Sequence, residues 1–148
     1  MRDWNRLDSG ATVRRRNGPA GRDQNIPSIL VVEDDDDLRD LLATFLRTSG
    51  LAAESCRSAT EALHMLRRRP FDLILTDYEL PGRTGGWLLR QASAEGLLDS
   101  TPALVVTAHP DPAEASEFEI LEKPFDLDDL VTLVRRRLGP RDVASLAG

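Results

Sequence analysis

Ile29-Leu30-Val31-Val32-Glu33-Asp34 and Leu73-Ile74-Leu75-Thr76-Asp77 decide how this chain folds. Each is a short apolar run that ends in carboxylates. Runs of that length, bounded by polar segments, are the pattern of strands covered on both faces, as in a parallel sheet. Two such strands bring Glu33, Asp34 and Asp77 into one crevice at their carboxyl ends. Carboxylates that close cannot all stay ionised unless positive charge sits among them. A hard divalent cation with oxygen ligands would serve, and so would a lysine. Lys123 is the single lysine of the chain, in which arginine is used everywhere else, and it follows a third apolar stretch, Phe118 to Leu121. A fourth, Ala103-Leu104-Val105-Val106, ends in the hydroxyl of Thr107. Carboxylates, hydroxyl and ammonium at successive strand ends describe a pocket that accepts a phosphoryl group.

Amphipathic segments separate the runs. Leu38, Leu41, Leu42, Phe45 and Leu46 fall on one helical face, with Asp35 to Asp37 at the end that favours anions and Gly50 as the stop. Leu51 to Cys56 reads as a second strand. Ser58 and Glu61 form a capping box ahead of Ala62, Leu63, Met65 and Leu66, and Arg67 to Arg69 precede the terminating Pro70. Leu80 to Gly86 is a turn-rich loop before a helix holding Trp87, Leu88 and Leu89. The last helix begins near Asp126 and runs through Leu130, Leu133 and Val134 to Arg135-Arg136-Arg137. Strands alternating with helices predict an α/β fold.

The 148 residues suit one domain. Residues 1–26 read as a disordered basic arm, 27–139 as the domain, and 140–148 as a short tail. Residues 1–25 carry six arginines against three aspartates, so a total charge of −6 leaves −9 for the remainder. A body that acidic argues against nucleic acid as a partner. A single cysteine, Cys56, excludes an internal disulfide, and its place in a strand predicts a small buried side chain. No apolar stretch approaches the ~20 residues that span a membrane, and the arginine-rich N-terminus lacks the apolar segment of a secretory signal. A cytoplasmic location is the expectation.

Four ordered motifs carry a family resemblance: ILVVEDDDDLRDLL (29–42), DLILTDYELPGRTGG (72–86), ALVVTA (103–108) and EKPF (122–125). Together they resemble the receiver domain of two-component response regulators, over about Ile29 to Leu138. The resemblance implies a flavodoxin-like, doubly wound, five-stranded parallel sheet of order 2-1-3-4-5, with its site at the strand carboxyl ends. It implies that Asp77 is the phosphoacceptor, that Thr107 is the switch hydroxyl, and that Lys123 contacts the phosphoryl group through a cis Lys123-Pro124 bond. Mg2+ would be held by Asp34, Asp77 and the backbone carbonyl of Glu79, with Glu33 acting mostly through water. The implied partner is a sensor histidine kinase or a histidine phosphotransfer protein. The chain would then be a stand-alone regulator that signals by protein contact, not a metabolic enzyme. A phosphate shuttle or sink in a relay is one alternative, and a phosphorylation-independent interaction module is another. An FMN-binding flavodoxin relative is disfavoured, because the acidic first loop would repel the FMN phosphate.

Plainer readings stand beside these roles. Asp35 to Asp37 are best read as helix-entry residues, whereas Glu33 and Asp34 precede the helix and exceed what one cap requires. Asp77 could be a turn former ahead of Pro81 and Gly82, but a buried unpaired carboxylate is costly at the end of an apolar strand. Thr107 could be a plain β-branched strand residue. An ammonium is a compact point charge that fits between phosphate and carboxylates, which suits Lys123 better than a solvated role. His64 reads as surface or boundary. His109, with Glu79, reads as tuning how water reaches the acyl phosphate.

The motif pattern departs from the family between Thr107 and Lys123. Pro110 and Pro112 open the interval, and a strand must fit before Lys123, so the fourth helix should be short or absent. Ile120 stands three residues before the lysine, where the family places a switch aromatic, and Phe118 is displaced from that position by two. The segment from Ala108 to Glu119 is therefore the expected alternative carrier of an output change.

Overall fold

Five parallel strands form one sheet in the computed structural model, which describes residues 26–111 and 117–139, and helices make the first three connections between them. The element order is β1 (Ser28–Val32), α1 (Asp36–Thr48), β2 (Ala52–Cys56), α2 (Ala59–Arg68), β3 (Leu73–Asp77), α3 (Gly85–Ala94), β4 (Ala103–Thr107), β5 (Glu119–Glu122) and α4 (Leu127–Leu138). The sheet order is β2-β1-β3-β4-β5, as the motifs implied. The basic arm and the short tail expected at the two ends lie outside the described residues. So do residues 112–116 of the β4–β5 connection. That connection runs from Ala108 to Phe118, eleven residues in all, and Glu117, where the described residues resume, is helical.

Strand alternation divides the core into two layers. Ile29, Val31, Leu73, Leu75, Leu104 and Val106 face α1 and α4, where they meet Leu42, Ala43, Leu46, Leu130 and Val134. Leu30, Val32, Ile74 and Val105 face α2 and α3, where they meet Ala62, Leu63, Leu66, Leu88, Leu89 and Ala92. Every residue of β3 is buried, so the central strand carries the continuous apolar run of a doubly covered sheet.

The helix ends follow from their capping chemistry. Asp35 accepts the Leu38 N–H at 2.9 Å, and Asp36 and Asp37 occupy the first turn of α1. Ser58 accepts the Glu61 N–H at 3.1 Å, but the returning Glu61 carboxylate takes the N–H of Arg57 and not that of Ser58. In the last turn of α4, Arg135 reaches across to the Ser49 carbonyl at 2.8 Å and satisfies the C-terminus of α1.

One position on α1 corrects the sequence reading. Leu41 is half exposed, and Ala43 takes the buried place on that helix. Ala43 is small enough for α1 to approach β1 and β2 closely, and this rolls the helix until Leu41 leaves the contact. Counting only large apolar residues put the buried stripe too far round. Cys56 is free and only partly buried, where its strand position had predicted a buried side chain.

Candidate functional site

Register delivers the site. Val32 pairs with Thr76, so the next residues along, Glu33 and Asp77, emerge side by side from β1 and β3. Both continue the pleat of Ile29-Val31 and Leu73-Leu75, so both carboxylates rise on the α1 side. Asp77 pairs with Val106, which puts Thr107 one step beyond on the neighbouring strand, and Thr107 pairs with Glu122. The Lys123 N–H then donates to the Thr107 carbonyl at 2.9 Å, and this starts the β5 exit at the same edge. The Lys123-Pro124 bond that follows is cis, as the resemblance implied.

Lys123 Nζ lies 3.1 Å from Asp77 Oδ2 and 3.8 Å from Glu33 Oε1. Carboxylate oxygens of Glu33, Asp34 and Asp77 lie within 4.8 Å of one another. Glu33 and Asp77 are buried, and Asp34 is exposed. Burial raises the Glu33 carboxyl to about 7, helped by the charges of Asp77 and Asp34 and opposed by the Asp35 N–H and Lys123. Burial likewise raises Asp77, although the Lys123 hydrogen bond and charge pull the other way. Burial disfavours the Lys123 ammonium, but Asp77, Glu33 and Glu79 together hold it above its ordinary value. A crowded, partly dehydrated set of hard oxygen donors with one ammonium is short of positive charge. It fits a small divalent cation.

Each sequence-selected residue therefore sits at one strand edge. Asp36, read as a helix-entry residue, is turned away and bridges Arg39 and Arg57 at 2.7 and 2.6 Å. His64 and His109 are exposed, and the His109 N–H donates to Thr107 Oγ1 at 3.1 Å.

Four contacts were not foreseen. The Thr107 hydroxyl donates to Glu79 Oε2 at 2.8 Å, while the Glu79 N–H donates to Asp77 Oδ1 at 3.2 Å. The Arg39 guanidinium donates to the Glu33 carbonyl at 3.1 Å. Gly85, the first residue of α3, sits so close to β3 that a β-carbon there would collide with the Asp77 carbonyl oxygen. The glycine pair at 85–86 was legible as a loop signal. Only the packing shows that it lets α3 begin directly beneath the end of the strand.

Comparisons with known proteins agree with this geometry. The sequence model of the response regulator receiver domain matches residues 29–135. The chain is 33% identical over 116 residues to the DNA-binding transcriptional regulator NtrC of Escherichia coli K12, covering 74% of this chain and 24% of that protein. It thus spans about a quarter of the length of the NtrC-type relatives it matches. It is 32% identical over 114 residues to the response regulator receiver protein CpdR of Brucella abortus, covering 74% of this chain and 95% of that one. The receiver domain of the hybrid histidine kinase CckA superposes with a TM-score of 0.65 at 29% identity, over 76% of this chain and 99% of that chain. The chemotaxis response regulator CheY4 of Vibrio cholerae shares the fold, with a TM-score of 0.70 at 24% identity over 76% and 98% of the two chains. With its strand order, its strand-edge carboxylates and its lysine in register, the chain belongs to the receiver domain family of two-component response regulators.

Proposed function

We propose that Asp77 accepts a phosphoryl group from a histidine kinase or a histidine phosphotransfer protein, and that the modified domain signals by protein contact. One observation carries this reading: the buried Asp77 carboxylate is hydrogen-bonded to the chain's single lysine, beside two further carboxylates at the same strand ends. A carboxylate held ionised by Lys123 needs no general base to act as a nucleophile. In the transfer, an Asp77 oxygen forms a bond to phosphorus as the donor's bond to phosphorus breaks, and no proton need move at Asp77. Lys123 stays beside the new acyl phosphate and offsets its added charge. Mg2+ bound by Asp34, Asp77 and the Glu79 carbonyl, with Glu33 behind a water, would neutralise the phosphoryl oxygens. Thr107 would donate its hydroxyl to one of them once that hydroxyl leaves Glu79. On this reading the chain is a cytoplasmic regulator and not a metabolic enzyme. No helix among the described residues is long and apolar enough to cross a membrane.

Acetyl phosphate with Mg2+ tests the assignment by intact mass. The wild type should gain one phosphoryl group and Asp77→Asn none. Labelling of Asp77→Asn at the wild-type rate would remove Asp77 from the nucleophile's role.

The brevity of the β4–β5 connection favours a second reading, in which Asp77 passes its phosphoryl group on to a histidine phosphotransfer protein and no output surface changes. Phosphotransfer profiling in both directions separates the two readings.

A further inference from the structure

Thr107 has one hydroxyl proton, and Glu79 holds it. The hydroxyl donates to Glu79 Oε2 at 2.8 Å and accepts the His109 N–H at 3.1 Å, so its donor and its near acceptor site are both engaged. Thr107 is 2% exposed, while Glu79 is exposed. A threonine hydroxyl has a single proton to give, so it cannot donate to a phosphoryl oxygen while Glu79 retains it. Glu79 also touches the acceptor itself, through its N–H on Asp77 Oδ1 at 3.2 Å. One residue on the β3–α3 loop therefore bridges the nucleophile, through its backbone N–H, and the hydroxyl, through its carboxylate, and the two are brought together only because β3 and β4 are neighbours.

We infer that Glu79 is a latch on Thr107: its carboxylate competes with a phosphoryl group on Asp77 for the Thr107 hydroxyl, and so sets how readily phosphorylation moves Thr107. This rests on the phosphoacceptor reading of Asp77. The latch opens for two physical reasons. A phosphoryl group offers the hydroxyl a more highly charged acceptor, and its oxygens repel the Glu79 carboxylate at close range. Glu79 acts through Thr107 and is a positioning residue. Once released, its carboxylate leaves with the β3–α3 loop. That loop then registers the modification beside Thr107, where the shortened β4–β5 connection begins.

Beryllofluoride, a stable phosphoryl mimic, provides the test in the presence of Mg2+. Its affinity is measured by 19F NMR for the wild type, Asp77→Asn, Glu79→Ala, Glu79→Gln, Thr107→Ala and the Glu79→Ala/Thr107→Ala double variant. Each Glu79 variant keeps the backbone carbonyl, and the side chain is exposed, so folding is preserved. Glu79→Ala should tighten binding about fivefold by freeing the hydroxyl, and Glu79→Gln should tighten it less, because the amide oxygen still accepts. In the Thr107→Ala background the gain should fall below about twofold, as expected for residues coupled through one hydrogen bond. In the ligand-free protein, Glu79→Ala should also shift the Thr107 methyl resonance toward its beryllofluoride-bound position. An equal gain with and without Thr107 would show a plain charge effect and overturn the latch alone. No binding by the wild type, or equal binding by Asp77→Asn, would overturn the phosphoacceptor reading and the latch with it.

Discussion

Replacing Glu33 by glutamine should stabilise the metal-free protein at neutral and alkaline pH, although it removes a charged partner of Lys123. Burial and the neighbouring carboxylates lift the Glu33 carboxyl from 4.5 to about 7. Below 4.5 the group is protonated in both folded and unfolded chains and has no effect on the balance. As pH rises from 4.5 to about 7, the unfolded chain has already released the proton that the folded chain still holds, so stability falls through that window and stays lowered above it. The interval sets a ceiling of about 3 kcal/mol on the loss. Coupling to Asp77 and the Lys123 contact at 3.8 Å reduce the expected gain to about 1–2 kcal/mol. Glutamine keeps an oxygen for the Asp35 N–H, which now donates to Glu33 Oε2 at 3.1 Å, so the loop geometry survives the change. Urea denaturation in EDTA at pH 4 and pH 8 measures the effect. The variant and the wild type should nearly coincide at pH 4, and the variant should be more stable at pH 8. Saturating Mg2+ should cancel or reverse the advantage, because the wild type then gains a bound cation. A destabilised variant at pH 8 without metal, or a difference independent of pH, would refute the argument that Glu33 is a strained charge.

The other predictions concern the neighbours of the site. Asp34→Ala should raise the Mg2+ concentration needed for labelling by acetyl phosphate about tenfold or more, because a direct ligand is lost. Asp36→Ala should leave that requirement within about twofold, because Asp36 is an exposed partner of Arg39 and Arg57. Gly85→Ala should destabilise the fold by about 1–3 kcal/mol in chemical denaturation, because the new methyl meets the Asp77 carbonyl and not a flexible side chain. Burial pushes the Cys56 thiol up to about 12, so iodoacetamide at pH 8 should modify it slowly in the native protein and readily in urea.

Most of the fold was legible because it rests on local patterns. The apolar runs of β1, β3 and β4 are continuous, since both of their faces are covered, and Asp35 and Ser58 announce their helices through side chains that can bond only to nearby N–H groups. The site residues were legible for a related reason. A carboxylate closing a buried strand, as Asp77 does, is conspicuous against the surrounding leucines and isoleucines. What stayed hidden depends on register and on the roll of helices. The bond from Thr107 to Glu79 spans 28 residues of sequence and exists only because β3 and β4 pair with Asp77 opposite Val106. The burial of Ala43 in place of Leu41 depends on how closely α1 approaches the sheet, which an apolar tally cannot weigh. The Arg135 bond to Ser49 joins residues 86 apart and reflects the meeting of α1 and α4 across one face of the sheet.

The single lysine has a practical corollary. Amine-directed reagents find only two kinds of target in this chain, the α-amine and the Lys123 ε-amine, and the second lies 3.1 Å from Asp77 with a quarter of its side chain exposed. Coupling through lysine, the routine route to immobilised or fluorescent protein, would therefore either miss the folded domain or erase the ammonium that balances Asp77. Acylation yield at Lys123 should fall when a ligand binds over Asp77, because the two groups are 3.1 Å apart. This chain carries such a reporter without engineering.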